Sequence, residues 1–356
     1  MLLSSLHVPN ALPVGGTMFR NAVVNAGMNV NQRQTSSNMT SMATTSFSSG
    51  PTPSAFFVAD RWIAYRTGFA AGGQMALMGL SNTDLPFVSA GLTSYARIGR
   101  ATGDVGTSNL NLAQNIESLS SIPMAAKVVS LSFYARAGAN FSGASGTAIA
   151  ALGLGVSTDS NVVVGLGSSS STMTNAFQPS TSWQRLSWSL TIPATATQVC
   201  PQISYSPTGT AGAGDYLDVT GVQLEISNSA TQYELRPYAI ELQLCSRFYT
   251  QYNFSNESFG LYVCEYSNAS KATSVFNLAV PLRTKASIGI INAGNWTISG
   301  SSAITGFSAS PYAQAVQPYQ VQSITVEFSL NWPGAAINPG TWWAAGATGI
   351  YFNSEL

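Results

Sequence analysis

Short segments in which apolar and polar residues alternate constrain the fold of this chain most strongly. Residues 127–136 and 183–192 both carry an apolar residue at every second position. Because successive side chains of a β-strand point to opposite faces, each segment predicts a strand with one buried face. The aromatic residues Trp62, Phe133 and Trp188 are predicted core residues of these strands, since large apolar side chains are usually buried.

The segments between these strands are rich in Gly, Ser and Pro, which favour turns. Residues 199–205 and 216–225 extend the series of short strands. Residues 108–119 fit either a short helix or another strand, because their apolar spacing suits both. Many short strands with polar turns between them predict an all-β fold built around a jelly-roll β-sandwich.

The pattern divides the chain into three regions. Residues 1–58 are predicted to be an extended N-terminal arm for assembly, because residues 32–53 are mostly Ser, Thr, Asn, Met and Gly without sustained periodicity. Residues 59–236 are predicted to form the jelly-roll sandwich. Residues 237–356 are predicted to form a C-terminal β domain that makes oligomer contacts.

A short helical linker is predicted at residues 237–248, where the third region begins. Ile240, Leu244 and Phe248 recur at four-residue spacing, and Pro237 suits a first helical turn. Beyond the linker the alternation resumes and predicts further strands, at residues 274–280 and 323–331.

The chain is poor in charge. Charged residues make up 8% of the sequence, hydrophobic residues 45%, and the formal net charge is zero. Disorder requires low hydrophobicity with high net charge, so this chain is expected to fold. Its 14 Lys and Arg residues are scattered singly, which argues against a nucleic-acid partner. Low net charge favours self-association, and a homo-oligomer is expected, most simply a closed trimer.

The C-terminal segment is apolar and aromatic. Residues 342–352 include Trp342 and Trp343 and carry no charged side chain. Because large exposed apolar surfaces mark interfaces, these two tryptophans are predicted to lie between subunits.

The cysteines and the apolar runs indicate in which cellular compartment the protein is expected. Cys200, Cys245 and Cys264 lack C-x-x-C spacing and are predicted to be buried, reduced thiols of a protein made in a cytosol. Residues 1–16 lack the basic region of a secretory signal peptide. No run approaches 18 apolar residues, so membrane insertion is not expected.

Candidates for catalysis are few. His7 is the only histidine, so a triad built around histidine is not expected. Glycosidases use two carboxyl groups about 5–10 Å apart, and Asp215 with Asp218 or Glu225 with Glu234 are the candidate pairs. The first pair lies in and after a Gly-rich turn, where backbone capping explains both residues and a structural calcium ion is the alternative. We therefore predict that the chain is not an enzyme and needs no other cofactor.

Two aromatic residues are candidates for glycan binding. An aromatic ring can stack on the apolar face of a sugar while amides and hydroxyls bind its polar edge. Tyr134 lies on the polar side of its predicted strand, and Trp183 stands at the start of another. Both are predicted platform residues, with a role in covering the sheet or a subunit contact as the alternative.

Seven short sequence blocks lie at intervals along the chain. They are residues 19–36 (FRNAVVNAGMNVNQRQTS), 60–62 (DRW), 114–117 (QNIE), 129–136 (VSLSFYAR), 220–249 (TGVQLEISNSATQYELRPYAIELQLCSRFY), 280–283 (VPLR) and 353–356 (NSEL). Together they resemble a family of bacteriophage virion structural proteins, described as tail-fibre, minor structural or carbohydrate-binding-module-like proteins.

The match is not complete. Phe248 and Leu282 stand where this family more often has Tyr and Met. Asn31, Gln32 and Arg33 stand where the family has an Asn-Gln-Arg tripeptide, and within the predicted arm they are expected to make assembly contacts.

The resemblance implies a virion location, with assembly in the cytoplasm of the bacterial host, and a jelly-roll module like those that bind sugars. The main hypothesis is a structural protein on the virion surface, as a tail appendage or a capsid decoration. Its partners would be copies of itself, other virion proteins and host surface polysaccharide. A dedicated host-glycan adhesin is the second hypothesis, and a polysaccharide depolymerase is the third.

Overall fold

The computed structural model describes thirteen stretches of the chain, and most strands beyond residue 252 are described by their backbone alone. The stretches are residues 19–44, 56–84, 91–159, 162–163, 169–254, 263–268, 271–283, 287–291, 296–299, 307–310, 321–330, 340–344 and 348–355. They contain 21 β-strands and two α-helices. The predicted all-β class is therefore confirmed.

The first twelve strands build a two-sheet sandwich. They are β1 (Thr40–Ser41), β2 (Phe57–Ala59), β3 (Trp62–Arg66), β4 (Gly73–Gly79), β5 (Ser94–Arg100), β6 (Leu110–Ala113), β7 (Val128–Ala137), β8 (Ala148–Gly155), β9 (Ser171–Phe177), β10 (Gln184–Thr191), β11 (Gln198–Tyr205) and β12 (Tyr216–Ile226). The first sheet has the order β1-β4-β5-β12-β7-β10 and the second the order β2-β3-β6-β11-β8-β9. Neighbouring strands pair antiparallel in both sheets.

The main core lies between these sheets and follows the predicted alternation. In β7, Leu131 and Phe133 face inward, and Trp62 of β3 is fully buried opposite them. Trp188 of the edge strand β10 is half-buried and packs against the same core. Burial of apolar surface is the main stabilising term of such a sandwich, so these residues hold its two sheets together.

A second, smaller core covers the outer face of the second sheet. Phe57, Tyr65 and Cys200 are buried there, together with Val162 and Val163 from the segment after β8. Both faces of this sheet are therefore covered, and every residue of β6 and β11 is buried. The region at residues 108–119, open between helix and strand from sequence, contains β6 followed by the short helix α1 (Ser118–Ser121).

Part of the predicted arm belongs to the sandwich. Strand β1 pairs with β4 as the edge of the first sheet, and Val23, Met28 and Met42 are buried in the main core. The boundary predicted at residue 58 therefore separates segments that pack together. The sequence did not reveal this because these buried residues follow no sustained period of two or of 3.6 residues.

The helical linker and further β-structure follow the sandwich. Helix α2 (Tyr238–Ser246) begins just after Pro237. Its fully buried positions are Glu241 and Cys245, whereas the predicted apolar positions Ile240 and Leu244 are only half-buried. The buried face is thus shifted by one residue, because Glu241 faces inward to bind charged and polar partners.

The C-terminal strands form two sheets. The strands are β13 (Tyr249–Phe254), β14 (Val263–Asn268), β15 (Lys271–Leu282), β16 (Ser287–Ile291), β17 (Trp296–Ser299), β18 (Phe307–Ser310), β19 (Val321–Leu330), β20 (Gly340–Ala344) and β21 (Thr348–Asn353). One sheet has the order β13-β21-β16, and the other the order β17-β20-β14-β15-β19-β18. The strands predicted at residues 274–280 and 323–331 correspond to β15 and β19.

A polar junction joins the N-terminal segment, the sandwich and the last residues of the chain. The guanidinium of Arg33 lies between the rings of Phe57 and Tyr249, 3.8 and 3.7 Å from their centroids. It also forms ion pairs with Asp60 at 3.4 Å and Glu355 at 3.1 Å. Arg33 and both carboxylates are almost completely buried, so their charges compensate one another, and Glu355 also pairs with the buried Arg61.

Asn25 organises the other side of this junction. Its φ of 54° lies in the left-handed region, where Asn is one of the few residues tolerated. The Asn25 amide donates to the carbonyls of Val30 and Asp60 at 2.8 and 2.9 Å. The Asn25 carbonyl accepts the Trp62 indole N–H at 2.9 Å, and its backbone N–H donates to Glu241 of α2. One tight turn therefore connects β3 to the linker helix.

Candidate ligand-binding face

The outer face of the first sheet carries a row of charged and aromatic side chains in cross-strand register. Arg97 of β5 lies opposite Asp218 of β12, and Asp218 lies opposite Arg136 of β7. Trp183 immediately precedes β10 at the end of this row. The neighbours of Arg97, Asp218 and Arg136 along each strand face the core, so the alternation turns these polar side chains outward.

Asp218 is the fixed centre of the row. It is fully buried and accepts two hydrogen bonds from Arg97, through Nε at 2.7 Å and Nη2 at 2.9 Å. It also accepts one from Arg136 Nε at 2.8 Å. A two-pronged contact of this kind fixes the plane of a guanidinium group, so both arginines are held in defined orientations.

Arg136 links Asp218 to the aromatic end of the row. Its Nη1 donates to Asp84 at 3.0 Å and its Nη2 to the Tyr95 hydroxyl at 3.1 Å. Its guanidinium lies 4.7 Å from the centroid of the Trp183 ring. Burial lowers the pKa of Arg136, but the hydrogen bond and charge of Asp218 outweigh this effect and raise it. Arg136 is therefore a permanent cation.

Trp183 is positioned by two contacts besides Arg136. Its indole N–H donates to Asp84 at 2.9 Å, and its ring meets the edge of Tyr95 at a centroid distance of 5.3 Å. Burial raises the pKa of Asp84, but hydrogen bonds from Ser81, Trp183 and the charge of Arg136 lower it below its ordinary value. The anchoring carboxylate is thus ionised at neutral pH.

Two further tyrosines extend the face on either side of the row. The guanidinium of Arg97 lies 3.5 Å from the centroid of the half-buried Tyr216 ring. Tyr134 lies opposite Thr220 and Arg185, and it is also half-buried. We call the group of Asp84, Tyr95, Arg97, Tyr134, Arg136, Trp183, Arg185, Tyr216 and Asp218 the platform.

A β-bulge in β12 shapes the platform. The pairing of β12 with β7 shifts between Thr220 and Gln223, so Val219 and Val222 both face the core. Gly221 has a φ of 58°, and a Cβ on it would lie 2.8 Å from the Tyr134 ring. Glycine is required here both for the backbone conformation and for the close approach of Tyr134.

The structure brings the two predicted glycan-binding residues, Tyr134 and Trp183, to the same face. Binding itself stays a prediction. Sequence reasoning did not identify Arg97 or Arg136 as residues of this face. The alternating sequence of β5, SYARIGR, could have identified Arg97, because Tyr95 and Arg97 occupy positions that face away from the core.

Asp215 and Asp218, the two residues predicted as calcium ligands, form ion pairs with arginines. Asp215 is buried, pairs with Arg100 at 2.7 Å, and accepts the Ser142 hydroxyl at 2.7 Å. Asp218 is held by Arg97 and Arg136. Guanidinium groups therefore compensate both carboxylates, which weighs against a calcium ion at these positions. In the described part of the chain, no three His, Cys, Asp or Glu side chains cluster as a metal site would require.

The arm residues predicted to contact partner subunits bind their own chain. Gln32 donates to the Asp60 carboxylate at 2.7 Å and to the Tyr249 carbonyl at 2.8 Å. The Asn31 side chain closes a turn with Thr35, and Arg33 belongs to the junction. These contacts account for the polar side chains of the segment within one chain, and the assembly contacts expected from the sequence stay a prediction.

The second candidate carboxylate pair, Glu225 and Glu234, contacts the N-terminal segment. Glu225 forms an ion pair with Arg20 at 3.7 Å, and Glu234 accepts the backbone N–H of Asn21 at 2.7 Å. Arg236 forms ion pairs with Glu234 and Glu241, at 3.7 and 2.9 Å. Glu225, Glu234, Arg236 and Glu241 are four of the five charged positions of the block at residues 220–249, and the fifth, Arg247, pairs with Glu117 at 3.1 Å.

The remaining predicted residues are placed only in part. Trp342 and Trp343 lie in β20, opposite Ile298 and Thr297, and their side chains are outside the description. His7 lies outside the described residues. None of the helices described is long and apolar enough to cross a membrane.

No protein-family model and no curated protein matches the chain. Its fold does resemble solved structures. The enzymatically active domain of tailspike protein 4 of bacteriophage CBA120 is 12% identical, with a TM-score of 0.34. The alignment covers 58% of this chain and 22% of that one, so the match spans about a fifth of the tailspike domain.

Carbohydrate-binding modules are also among the similar structures. A tandem CBM22 pair from Paenibacillus barcinonensis xylanase Xyn10C is 10% identical, with a TM-score of 0.28, and the alignment covers 90% of this chain and 98% of that one. A CBM4 module is 16% identical, with a TM-score of 0.29, over 47% of this chain and 88% of that one. All three TM-scores are below 0.5, so only the residues of this chain carry an inference about function.

Proposed function

We propose that this chain is a structural protein of a bacteriophage virion surface whose β-sandwich binds glycans through the platform. The observation that carries the glycan-binding part is the row Arg97–Asp218–Arg136–Trp183. It sets aromatic rings beside fixed hydrogen-bond donors on one sheet face.

The chemistry of the platform suits a sugar. Half-buried aromatic rings, such as those of Trp183 and Tyr134, offer apolar area for the C–H face of a pyranose. Guanidinium groups beside them offer donors to ring hydroxyls. Because Asp218 and Asp84 fix both the arginines and the tryptophan, little side-chain freedom is lost when a ligand binds.

The carboxylates of the platform favour binding over hydrolysis. A glycosidase needs one carboxyl group with a raised pKa to act as a general acid. The pKa of Asp84 is lowered, and Asp218 is buried beneath two arginines that occupy both of its oxygens. This arrangement supports a protein that binds polysaccharide without cleaving it, and it weighs against the depolymerase hypothesis.

The virion part of the proposal rests on the sequence blocks and the composition. The blocks at residues 19–36, 60–62, 220–249 and 353–356 meet at the junction, so they serve one structural purpose. The neutral, hydroxyl-rich surface suits a self-associating protein, for which a trimer is the simplest closed assembly. A dedicated host-glycan adhesin is the alternative, and it would use the same platform.

Glycan binding is tested with the purified full chain on an array of bacterial surface polysaccharides, followed by calorimetry with any glycan that binds. Trp183→Ala is expected to reduce affinity at least about tenfold, since stacked aromatic residues dominate such contacts. Tyr238→Ala is the matched control, because Tyr238 is an exposed aromatic residue outside the platform. Equal loss in both variants, or no binding at all, would contradict the proposal.

The virion location is tested separately. Purified phage particles from the host would be analysed by quantitative mass spectrometry, with the major capsid protein as the internal standard. Hundreds of copies of this chain per particle indicate a capsid decoration, and tens or fewer indicate a tail appendage. Absence from particles would overturn the virion proposal and leave glycan binding standing.

A further inference from the structure

The arginine side chains of the platform are more exposed to solvent than its carboxylates. Asp218 is fully buried and the side chain of Asp84 is 10% exposed, whereas the side chains of Arg97 and Arg136 are 15% and 22% exposed. Arg185 on the neighbouring strand is exposed as well. Three guanidinium groups therefore face two recessed carboxylates, which leaves one positive charge in excess at the surface.

Arg97 has unused hydrogen-bond donors at this surface. Its Nε and Nη2 atoms donate to Asp218, while Nη1 has no acceptor among the described residues and is not a buried atom. The guanidinium rests flat on the Tyr216 ring, 3.5 Å from its centroid. Asp218 and Tyr216 therefore fix the orientation of the guanidinium group, and the two N–H bonds of Nη1 remain available to a ligand.

Arg136 adds further donors beside Arg97. Each of its nitrogens makes one hydrogen bond, to Asp218, Asp84 and Tyr95. Nη1 and Nη2 carry two hydrogens each, so each retains one further N–H. Asp218 holds both guanidinium groups, and their remaining N–H groups form a compact, positively charged donor set.

Resting on the proposed glycan-binding function, we infer that the platform binds a sugar unit that carries a carboxylate, with Arg97 as the residue that selects the charge. Guanidinium groups match carboxylates in shape and charge, and such hydrogen bonds are stronger than those to neutral hydroxyls. Because Arg97 is already fixed by Asp218 and Tyr216, a carboxylate gains this contact without ordering a flexible side chain.

The test uses the full chain and matched pairs of glycans. Polysaccharides and oligosaccharides containing uronic or sialic acids are arrayed beside their methyl-esterified forms, together with neutral, phosphorylated and sulfated glycans. The acid form is expected to bind at least about tenfold more tightly than its ester, with affinity that falls as salt rises. Arg97→Gln is expected to remove this preference, so that the ratio of acid to ester affinity measured in this variant falls to about one, whatever its absolute affinity for the ester.

Two further variants separate charge selection from folding. Arg247→Gln removes an equally basic, more exposed side chain outside the platform and is expected to keep the preference for the acid form. Arg97→Lys retains the charge without the planar fork and is expected to keep only part of that preference. Thermal unfolding of each variant shows whether it is folded before its binding is compared.

The outcomes distinguish this inference from the proposed function. Equal binding of acids and esters, or a preference for neutral glycans, would overturn carboxylate selection and keep glycan binding. Binding confined to phosphorylated or sulfated glycans would overturn the assignment to a carboxylate. Unchanged selectivity in Arg97→Gln would remove Arg97 from the site. If no glycan of any class binds, the proposed function fails too.

Discussion

Arg97 and Asp218 form a two-pronged ion pair across neighbouring strands of the first sheet, with Nε–Oδ1 and Nη2–Oδ2 distances of 2.7 and 2.9 Å. Arg136 reaches the same carboxylate from the opposite strand. A fully buried anion therefore lies under two partly exposed cations. This arrangement has consequences for stability as well as for binding.

Replacing Asp218 by Asn should destabilise the sandwich. The substitution leaves two guanidinium groups without their shared anion, and we expect the free energy of unfolding to fall by about 2–3 kcal/mol, less than for fully buried cations because both arginines reach solvent. Chemical denaturation at neutral pH measures this loss. Glu117→Gln, which breaks the more exposed pair with Arg247, should cost about 1 kcal/mol or less. Equal effects of the two substitutions would contradict the role of Asp218.

Asp84 should make the stability depend on acid pH. Its pKa is lowered in the folded protein, so the unfolded chain, with an Asp pKa of about 3.9, binds the proton more readily. The stabilisation is therefore present above about pH 4 and is lost as the pH falls through the folded pKa. Urea unfolding at pH 7 and pH 3 should show a smaller difference for Asp84→Asn than for the wild type. An identical difference would mean that Asp84 is not coupled to folding.

Arg33 should be essential for the junction and dispensable for contacts between subunits. Arg33→Ala leaves the buried carboxylate of Asp60 without an ion-pair partner, while Glu355 keeps its ion pair with Arg61, and this should cost about 3–5 kcal/mol of folding stability. Arg33→Lys should cost less, since it keeps the charge but loses contact with the two rings. Thermal unfolding measures the loss, and light scattering measures the assembly state. A variant of normal stability that no longer assembles would support the original expectation for this residue.

Two of the cysteines should be unreactive in the folded protein. Burial raises the pKa of Cys200 to about 12 and that of Cys245 well above its ordinary value, and neither thiol is exposed. The thiolate is the reactive species, so a thiol reagent at pH 8 should label neither residue until the chain unfolds. Cys264→Ser provides the background in which only these two are counted. Rapid labelling of the native variant would show that the second core opens easily.

The local sequence pattern was sufficient for the strands with one covered face. In β7 the apolar positions face the core and the polar ones face the platform, as the period of two predicts. In β6 and β11 both faces are covered, so burial does not alternate and the faces could not be assigned from sequence. In β12 the bulge at Gly221 reverses the pattern part of the way along the strand.

The helix and the arm show the limit of local patterns. The sequence located the linker helix within two residues at its C-terminal end, but its apolar spacing did not identify Glu241 as a buried position. Glu241 is buried because Arg236 and the Asn25 N–H compensate its charge. These partners lie far apart in sequence or in irregular segments, and no periodicity records such contacts.

The sequence by itself determined the all-β class, the main strands, the low content of charged residues and the candidate residues Tyr134 and Trp183. Each of these follows from composition or from the spacing of neighbouring residues. Only the tertiary structure decided that Asp218 pairs with two arginines and that Arg33 joins the N-terminal segment to Glu355. The sequence does not show which group compensates the charge of a carboxylate, because folding brings that group from a distant strand.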